Sequence, residues 1–399
     1  MKTENSEKLP STLGSTLVLA SGTFAVGTDA FVVSAFLPEM AESLSVTTAM
    51  AGWSVTAFAL TYALLAPIIA AMTSTVPRRK LLVSSLILLG LSNVASAVCT
   101  TLPLLILTRI AAAASAAAYT PNAGATAAAM VHPSQRARAL SVVIGGLTIA
   151  TALGIPIGHV ISVILNWRAS LVFVGVLSFV SAATVFYVMK PMPGGVAVGL
   201  RQRVSILKKP GISSILMLTV FGMAACYAPY AFTISILDAL RVPASSFTMM
   251  LFLYGVGAFG GNYLSGWVTD KRGPIITLGG AYLVMTLALV GLAIMSSVKE
   301  AEGIYLLALL MVCWGASSWA QSPAQQQRLI NLAPQEAPLV VALNSSGIYI
   351  GISIGTMIGG QLIGLGGSYP LWVGAGLAVS AMCYIMICGG GRGEGFDRG

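Results

Sequence analysis

Apolar runs of about 20 residues recur along almost the whole chain. A helical run of that length crosses the roughly 30 Å of hydrocarbon in a bilayer. The runs are unbroken and rich in Ala, Leu and Gly, whereas the strands of a membrane barrel are shorter and alternate in hydrophobicity. The pattern predicts an all-helical membrane protein with twelve spans, near residues 13–37, 51–72, 81–99, 103–129, 139–164, 169–189, 213–236, 246–267, 274–296, 303–324, 339–364 and 369–388.

The composition supports the same fold class. Of the 399 residues, 56% are hydrophobic and 8% are charged. The mean hydropathy is +0.88. A soluble globular domain carries about 25% charged residues, so a water-soluble surface cannot be built from this chain.

The positions of the charges explain the net charge of +9. If the N-terminus is cytoplasmic, only Arg168, Arg241 and Lys299 fall on the outer side. The cytoplasmic side then holds Lys2, Lys8, Arg78, Arg79, Lys80, Arg136, Arg138, Lys190, Arg201, Arg203, Lys208, Lys209, Lys271, Arg272, Arg328, Arg392 and Arg398. This asymmetry orients membrane proteins, so we expect both termini in the cytoplasm. Nucleic acid is not an expected partner.

The chain also divides into two halves. The longest polar interruption, from Lys190 to Gly211, separates six spans from six. At one constant offset, Leu44, Val46, Ala70, Ser74 and Pro77 fall on Leu240, Val242, Gly266, Asp270 and Gly273. We therefore expect six-helix bundles over residues 1–190 and 213–399, joined by a basic cytoplasmic linker over 191–212. Two such halves around a midplane cavity form a rocking secondary transporter.

Several motifs carry a family resemblance. The stretch GWVTDKRG contains Gly266, Asp270, Arg272 and Gly273 between spans 8 and 9, and Arg78 and Arg79 lie in the corresponding loop between spans 2 and 3. Other motifs are Arg109 in span 4, GTDAFVVSAFLPEMA in span 1, and Gly145, Gly154, Pro156 and Gly158 in span 5. With these motifs the chain resembles the major facilitator superfamily, in particular its twelve-span drug and proton antiporters. Ser74 and Pro77 depart from the family's Asp and Gly in the first loop.

The resemblance implies a function. WGASSWAQSPAQQQRLINLAP, from Trp314, is similar to span 10 of bacterial purine and nucleoside efflux pumps, and MTSTVPRRKLL, from Met72, is similar to bacterial sugar efflux transporters. These likenesses imply export of a drug, purine, nucleoside or sugar in exchange for protons, by alternating access. A proton-coupled uptake symporter or a uniporter for a small polar solute is the alternative. We expect a monomer whose partners are the small-molecule substrate, protons and the lipid bilayer.

Asp29 and Arg109 are the charged residues that lie well inside spans. Counted at 1.5 Å per residue, they sit at similar depth. Burial favours the neutral form of a carboxyl group and a nearby cation favours the charged form, so alternation between these environments lets Asp29 take and release protons. Arg109 then acts as a fixed charge. The alternative is a permanent ion pair, or an Arg109 that only binds helix carbonyls.

Two further features suggest a role in exchange. His159, near the outer end of span 5, titrates in the working pH range and is a candidate for proton release. Gly145, Gly146, Gly154, Pro156 and Gly158 thin and bend span 5, which allows close helix approach and a local break in its hydrogen-bond ladder. The simpler interpretation of these residues is helix packing, with His159 as a hydrogen-bonded packing residue.

Polar and aromatic residues in mid-span are candidates for the substrate cavity. They favour neutral, flat or polyhydroxylated compounds, because amides and phenols offer hydrogen bonds without net charge. The candidates are Tyr119, Asn122, Tyr227, Tyr230, Trp319, Gln321, Gln325 and Asn344, within a wider set that adds Tyr62, Asn262 and Tyr349. Spans 1, 4, 7 and 10 line the cavity in the family that the chain resembles. Aromatic residues also fill membrane cores, which is the alternative interpretation.

The sequence contains no pattern typical of an enzyme. We find no phosphate-binding Gly-Lys loop, no metal-ligand spacing and no paired carboxylates. We therefore expect no catalytic residues, no metal and no cofactor. A receptor without flux would need a soluble sensor domain, and the sequence shows none.

Overall fold

A computed structural model describes residues 12–132, 135–194, 205–298 and 303–389. All regular structure within these residues is helical. Twelve helical segments are long and apolar enough to cross a membrane. This confirms the predicted all-helical fold with twelve spans. Several residues of the predicted charge pattern lie outside the described residues, namely Lys2, Lys8, Arg201, Arg203, Lys299, Arg392 and Arg398.

The spans form two sets of six. Spans 1 to 6, the first half, are Thr12–Val32, Trp53–Met72, Arg78–Ala97, Leu102–Ala129, Arg136–Ile149 with Ile155–Ile164, and Trp167–Val188. Spans 7 to 12, the second half, are Ile212–Tyr230, Phe247–Arg272, Pro274–Val298, Ile304–Leu332, Ala337–Ile363 and Ser368–Gly389. Shorter α-helices in the described part of the chain are Leu37–Ser43, Thr48–Ala51 and Thr233–Ala239. The predicted division at 191–212 stays a prediction, because residues 195–204 lie outside the described part.

The outside of the molecule is strongly apolar. Near the end of span 5, for example, Val163 is 70% exposed, Ile164 72% and Leu165 67%. Contact with water would make such a surface unfavourable by about 25 cal/mol per Å² of apolar area. Lipid tails remove that cost, so the exposed apolar side chains are those expected of a chain embedded in a bilayer.

The two halves repeat one packing scheme. In the first half, span 1 packs on span 5, span 2 on span 4, and span 3 on span 6. The second half has the same contacts six spans later, between spans 7 and 11, 8 and 10, and 9 and 12. The contacts between halves, span 2 with span 11 and span 5 with span 8, also exchange under this relation. The weak internal repeat of the sequence therefore corresponds to two equivalent six-helix bundles.

The molecule has two faces. The face that bears Arg78 and Arg79 before span 3 and Arg272 after span 8 is called the basic face here, and the other is called the opposite face. Several contacts between the two halves lie toward the opposite face. There Gly360 of span 11 lies against Ala49, and Gly52 lies against the ring of Phe232. These contacts bring the halves together at that face.

Span 5 lies unusually close to span 1. A methyl group added to Gly146 would overlap the Ala20 carbonyl and the Thr23 hydroxyl of span 1. The same overlap would occur between Gly154 and Thr28, and between Gly158 and Val32. The hydroxyl of Thr23 also donates to the Val143 carbonyl, at 2.5 Å. Small residues on span 5 therefore let its backbone approach the helix that carries Asp29.

The interruption expected in span 5 is a π-helical segment, Ala150–Gly154. Ile155 and Pro156 then begin the next α-helical stretch, where a missing N–H has the least effect. One expectation is corrected: Gly145 does not serve close approach, because an added methyl group there would meet no atom within 4 Å. Gly145 faces away from span 1, since adjacent residues on a helix point in different directions.

This contrast between neighbouring glycines is testable. We expect Gly146→Ala to lower the free energy of unfolding by about 1–3 kcal/mol, because the new methyl group must displace the backbone of span 1. Gly145→Ala is the matched control and should change it by less than about 0.5 kcal/mol. Chemical unfolding in detergent micelles measures both variants. Equal stability of the two would contradict the close packing of spans 1 and 5.

Candidate functional site

A buried ion pair joins span 1 to span 4. Nη1 of Arg109 lies 2.5 Å from Oδ1 of Asp29, and Nη2 donates to the backbone carbonyl of Asp29 at 2.9 Å. Asp29 is 0% exposed and Arg109 is 1% exposed. The structure thus brings together the two charged residues whose depth in the membrane was predicted to match, and in this conformation neither contacts water.

Aromatic rings surround this ion pair. The guanidinium of Arg109 lies 4.5 Å from the ring centroid of Phe58 on span 2, a cation–π distance. Phe58 contacts the ring of Tyr349 from span 11, with centroids 6.4 Å apart. Tyr62 stacks on Tyr349 at 3.8 Å. Phe58 therefore lies between Arg109 and a residue of the second half.

One oxygen and one nitrogen of the ion pair form no hydrogen bond within the described part of the chain. Oδ2 of Asp29 and Nε of Arg109 have no hydrogen-bond partner among the described residues. Removing two charges from water costs several kcal/mol per ion, and incomplete hydrogen bonding leaves part of that cost without compensation. The pair therefore holds the two spans together but keeps an oxygen able to accept a proton.

The predicted aromatic residues of the cavity meet span 1. The ring of Phe31 lies 6.0 Å from Tyr227 of span 7 and 5.9 Å from Trp319 of span 10. Tyr230 continues this cluster, at 4.9 Å from Tyr227. The structure thus assembles Tyr227, Tyr230 and Trp319 where the two halves meet.

The predicted amide residues instead contact span 7 from within the second half. Nε2 of Gln321 donates to the Ser318 carbonyl at 3.2 Å and lies 3.5 Å from the Gly222 carbonyl of span 7. Nε2 of Gln325 donates to the Ile215 carbonyl at 3.4 Å.

Asn344 on span 11 completes this set of amides. Its Oδ1 accepts a hydrogen bond from Thr219 of span 7 at 2.9 Å. Oε1 of Gln321 and Nδ2 of Asn344 keep no partner among the described residues. The amides therefore hold spans 7, 10 and 11 together while retaining some capacity to bind a polar group.

Two predicted cavity residues lie elsewhere. The hydroxyl of Tyr119 donates to the Leu19 carbonyl at 3.0 Å, inside the first half. Oδ1 of Asn122 accepts a hydrogen bond from Arg78 at 2.7 Å, toward the basic face. Asn122 therefore does not lie beside Asp29. It lies thirteen residues beyond Arg109 on the same helix, which is about 20 Å along the axis.

His159 forms a hydrogen bond between the halves. Its Nδ1 lies 2.8 Å from the Thr248 hydroxyl of span 8. The imidazole is 5% exposed and lies beside the ring of Phe247. This position toward the opposite face is where span 5 of one half packs on span 8 of the other.

The loop motifs lie at the basic face. Arg79 donates to the Met189 carbonyl at 3.4 Å and covers the ring of Phe186. Gly273 has a φ of 85° and lies immediately before Pro274, so a residue without a side chain suits the turn between spans 8 and 9.

The remaining loop residues make few contacts. Asp270 and Arg272 are exposed, and Asp270 forms no ion pair within the described part of the chain. Gly266 has room for a side chain. In this conformation no ion pair therefore joins Asp270 or Arg272 to the rest of the described chain.

Sequence reasoning did not identify Phe31 and Phe58 as site residues. Phe58 and Tyr62 are four residues apart on span 2, a spacing that places both on one helix face. That spacing was an available signal. Phe31 offered none, because an apolar ring in an apolar helix is equally suited to packing and to lipid contact.

Known proteins resemble this chain over almost its whole length. The profile of the Major Facilitator Superfamily matches residues 19–355. The MFS-type transporter YbcL of Bacillus subtilis is 27% identical, over 93% of this chain and 94% of its own. The inner membrane transport protein YdhP of Escherichia coli K12 is also 27% identical, over the same shares. A chloramphenicol resistance protein of Streptomyces lividans is 29% identical, over 91% of this chain and 93% of its own.

The fold is that of a solved transporter. A bacterial homologue of the human lysosomal transporter Spinster, determined in an inward-facing and unoccupied conformation, superposes with a TM-score of 0.70. The two share 17% sequence identity, and the match covers 95% of each chain. With the twelve spans, the repeated packing of the halves and the matching profile, the chain belongs to the major facilitator superfamily.

Proposed function

We propose that this transporter exports a small organic molecule in exchange for protons across a bacterial inner membrane, with its basic face in the cytoplasm. The buried pair of Asp29 and Arg109 carries the proposal. An ionisable residue inside a membrane span is costly and commonly marks a proton or substrate pathway. The excess of Arg and Lys at the basic face supports the orientation.

Proton binding and ion pairing compete at Asp29. A proton on the carboxylate removes its charge and leaves the Arg109 cation without a counter-charge, which costs several kcal/mol in a buried site. The protonated state therefore favours a conformation in which Arg109 reaches water or an anionic group. Because neither side chain is exposed in this conformation, the proton enters or leaves when the halves have moved.

The aromatic contacts link this change to the second half. The ring of Phe58 packs against the guanidinium of Arg109 and also contacts the ring of Tyr349. Tyr349 in turn stacks on Tyr62. Loss of the ion pair would loosen contacts that hold spans 2 and 11 together. Protonation of Asp29 would in this way change the interface between the halves.

The substrate class is supported by two observations. The interface between the halves offers aromatic rings, and the second half adds uncharged amides on spans 10 and 11; both suit a neutral or weakly charged drug, purine, nucleoside or sugar. One relative is named a chloramphenicol resistance protein. A proton-coupled uptake symporter or a uniporter is the second candidate, and it differs in the direction of proton flow or in the absence of uphill transport.

The first prediction from this proposal concerns Asp29. Asp29→Asn keeps the shape of the side chain but cannot exchange a proton, so we expect transport driven by a pH gradient to fall to the level of protein-free liposomes. Transport into proteoliposomes under an imposed pH gradient measures this with chloramphenicol, adenosine and lactose. Asp238→Asn is the matched control, because Asp238 is exposed and should transport as the wild type does.

The design separates loss of function from loss of folding. Asp29→Asn leaves Arg109 charged and unpaired, so the double variant Asp29→Asn with Arg109→Gln restores neutrality and should fold but not transport uphill. Uphill transport retained by either folded variant would remove Asp29 from the mechanism. Proton movement with the substrate would identify a symporter, and flux only down the substrate gradient would identify a uniporter.

The second prediction concerns Arg109. Arg109→Lys keeps the charge but loses the two-point contact with the side chain and backbone of Asp29. We expect uphill transport to fall at least about tenfold, which corresponds to a loss near 1.4 kcal/mol. Initial rates at several pH values measure the effect. Transport kinetics equal to those of the wild type would show that a point charge suffices.

The third prediction tests movement of the halves. A methyl group built on Gly360 would lie 4.0 Å from Cα of Ala49. The two Cα atoms are therefore at most about 5.5 Å apart, a separation that a disulfide can span. With the native cysteines replaced, oxidised Ala49→Cys/Gly360→Cys should not transport, and dithiothreitol should restore transport. The single variants Ala49→Cys and Gly360→Cys, oxidised in the same way, are the controls and should remain active. Normal transport by the cross-linked protein would contradict alternating access at this face.

A further inference from the structure

Phe31 lies where the two halves meet. It belongs to span 1 of the first half, yet its ring contacts Tyr227 of span 7 and Trp319 of span 10, both in the second half. The ring stands edge-on to Trp319 at 90° and tilted to Tyr227 at 41°. Both centroid distances are within the range in which aromatic pairs attract. The three rings form what we call the aromatic slot, with Phe31 as its occupant.

This contact cannot persist through a transport cycle. The halves of such a transporter rock against each other around a central site, so a ring of one half must separate from two rings of the other. Once Phe31 leaves, Tyr227 and Trp319 would border an empty space, and a void lined by rings loses dispersion contacts. A flat ring of similar size would restore them, whereas a polyhydroxylated sugar would also have to bury hydroxyl groups between the rings without hydrogen-bond partners.

We propose that the transported molecule carries a flat aromatic or heteroaromatic ring and that this ring binds in the aromatic slot by displacing Phe31. The proposal rests on the proposed function, since it assumes that the chain transports a small organic molecule. It narrows the substrate class to compounds such as nitrophenyl drugs or purines and excludes simple sugars. Phe31 then acts as an internal competitor of the substrate.

The position of Phe31 also connects substrate to proton. Phe31 follows Asp29 by two residues, in the last turn of the regular helix, which ends at Val32. Two residues correspond to about 200° of rotation and 3 Å of rise, so Phe31 and Asp29 project from nearly opposite sides of one turn. A ligand that displaces Phe31 moves this turn and strains the contact between Asp29 and Arg109. Substrate and proton thus act on the same helical turn from opposite sides.

Equilibrium binding tests the proposal. Purified protein in detergent is titrated with chloramphenicol and adenosine as aromatic probes and with lactose as a probe without an aromatic ring. Phe31→Ala removes the competitor, so we expect the Kd of at least one aromatic probe to fall at least about threefold. Trp319→Ala removes a wall of the slot and should raise that Kd about tenfold. Lactose should bind no better to Phe31→Ala than to the wild type.

Two controls keep the result interpretable. Phe36→Ala removes a buried ring that stacks on Trp167 within the first half, and it should leave the Kd of the aromatic probe unchanged. Phe31→Leu keeps apolar volume without a flat ring and replaces Phe31→Ala if the alanine variant does not fold. It should also bind the aromatic probe more tightly than the wild type.

Some results would overturn the proposal. These are an unchanged or higher Kd for both aromatic probes in the folded Phe31 variant, no binding of either probe, or an equal gain for lactose. The measurement needs no proton gradient, and Asp29→Asn should still bind the aromatic probe. A failure of proton coupling therefore remains distinguishable from a failure of the slot.

Discussion

The structure depends on one ion pair placed where charge is expensive. Asp29 and Arg109 have almost no exposed surface, and each would be strongly unfavourable without the other. Their hydrogen bonds join span 1 to span 4, in addition to the van der Waals packing that holds helices together in lipid. Any event that changes the charge of Asp29 must therefore change the preferred arrangement of these helices.

The packing around the pair combines a close contact with an adaptable one. On one side, Gly146, Gly154 and Gly158 bring the backbone of span 5 against span 1, so movements of the two helices are coupled. On the other side, the ring of Phe58 supports Arg109 and Tyr349 crosses from the second half. Flat rings slide and re-stack at small cost, which suits an interface that must open and close. The fold thus combines close backbone packing of spans 1 and 5 within the first half with aromatic contacts between the halves that can rearrange.

The sequence predicted those features that follow from position along a helix axis. Span number follows from the length of apolar runs, and the contact between Asp29 and Arg109 follows from counting residues to each helix end. The break in span 5 could likewise be predicted from its Gly and Pro, because these residues weaken the backbone ladder locally. Each inference uses only neighbours in the chain or the thickness of the bilayer.

Rotation about each helix axis was decided only by the tertiary structure. A helix that is apolar on all sides carries no stripe to show which face meets a neighbour, so the sequence could not distinguish Gly145 from Gly146 or assign Phe31 to the second half. Asn122 turned toward Arg78 for the same reason. The sequence by itself determined how deep each residue lies in the membrane. The packing of twelve helices determined which way it points, because that direction depends on contacts between spans far apart in the chain.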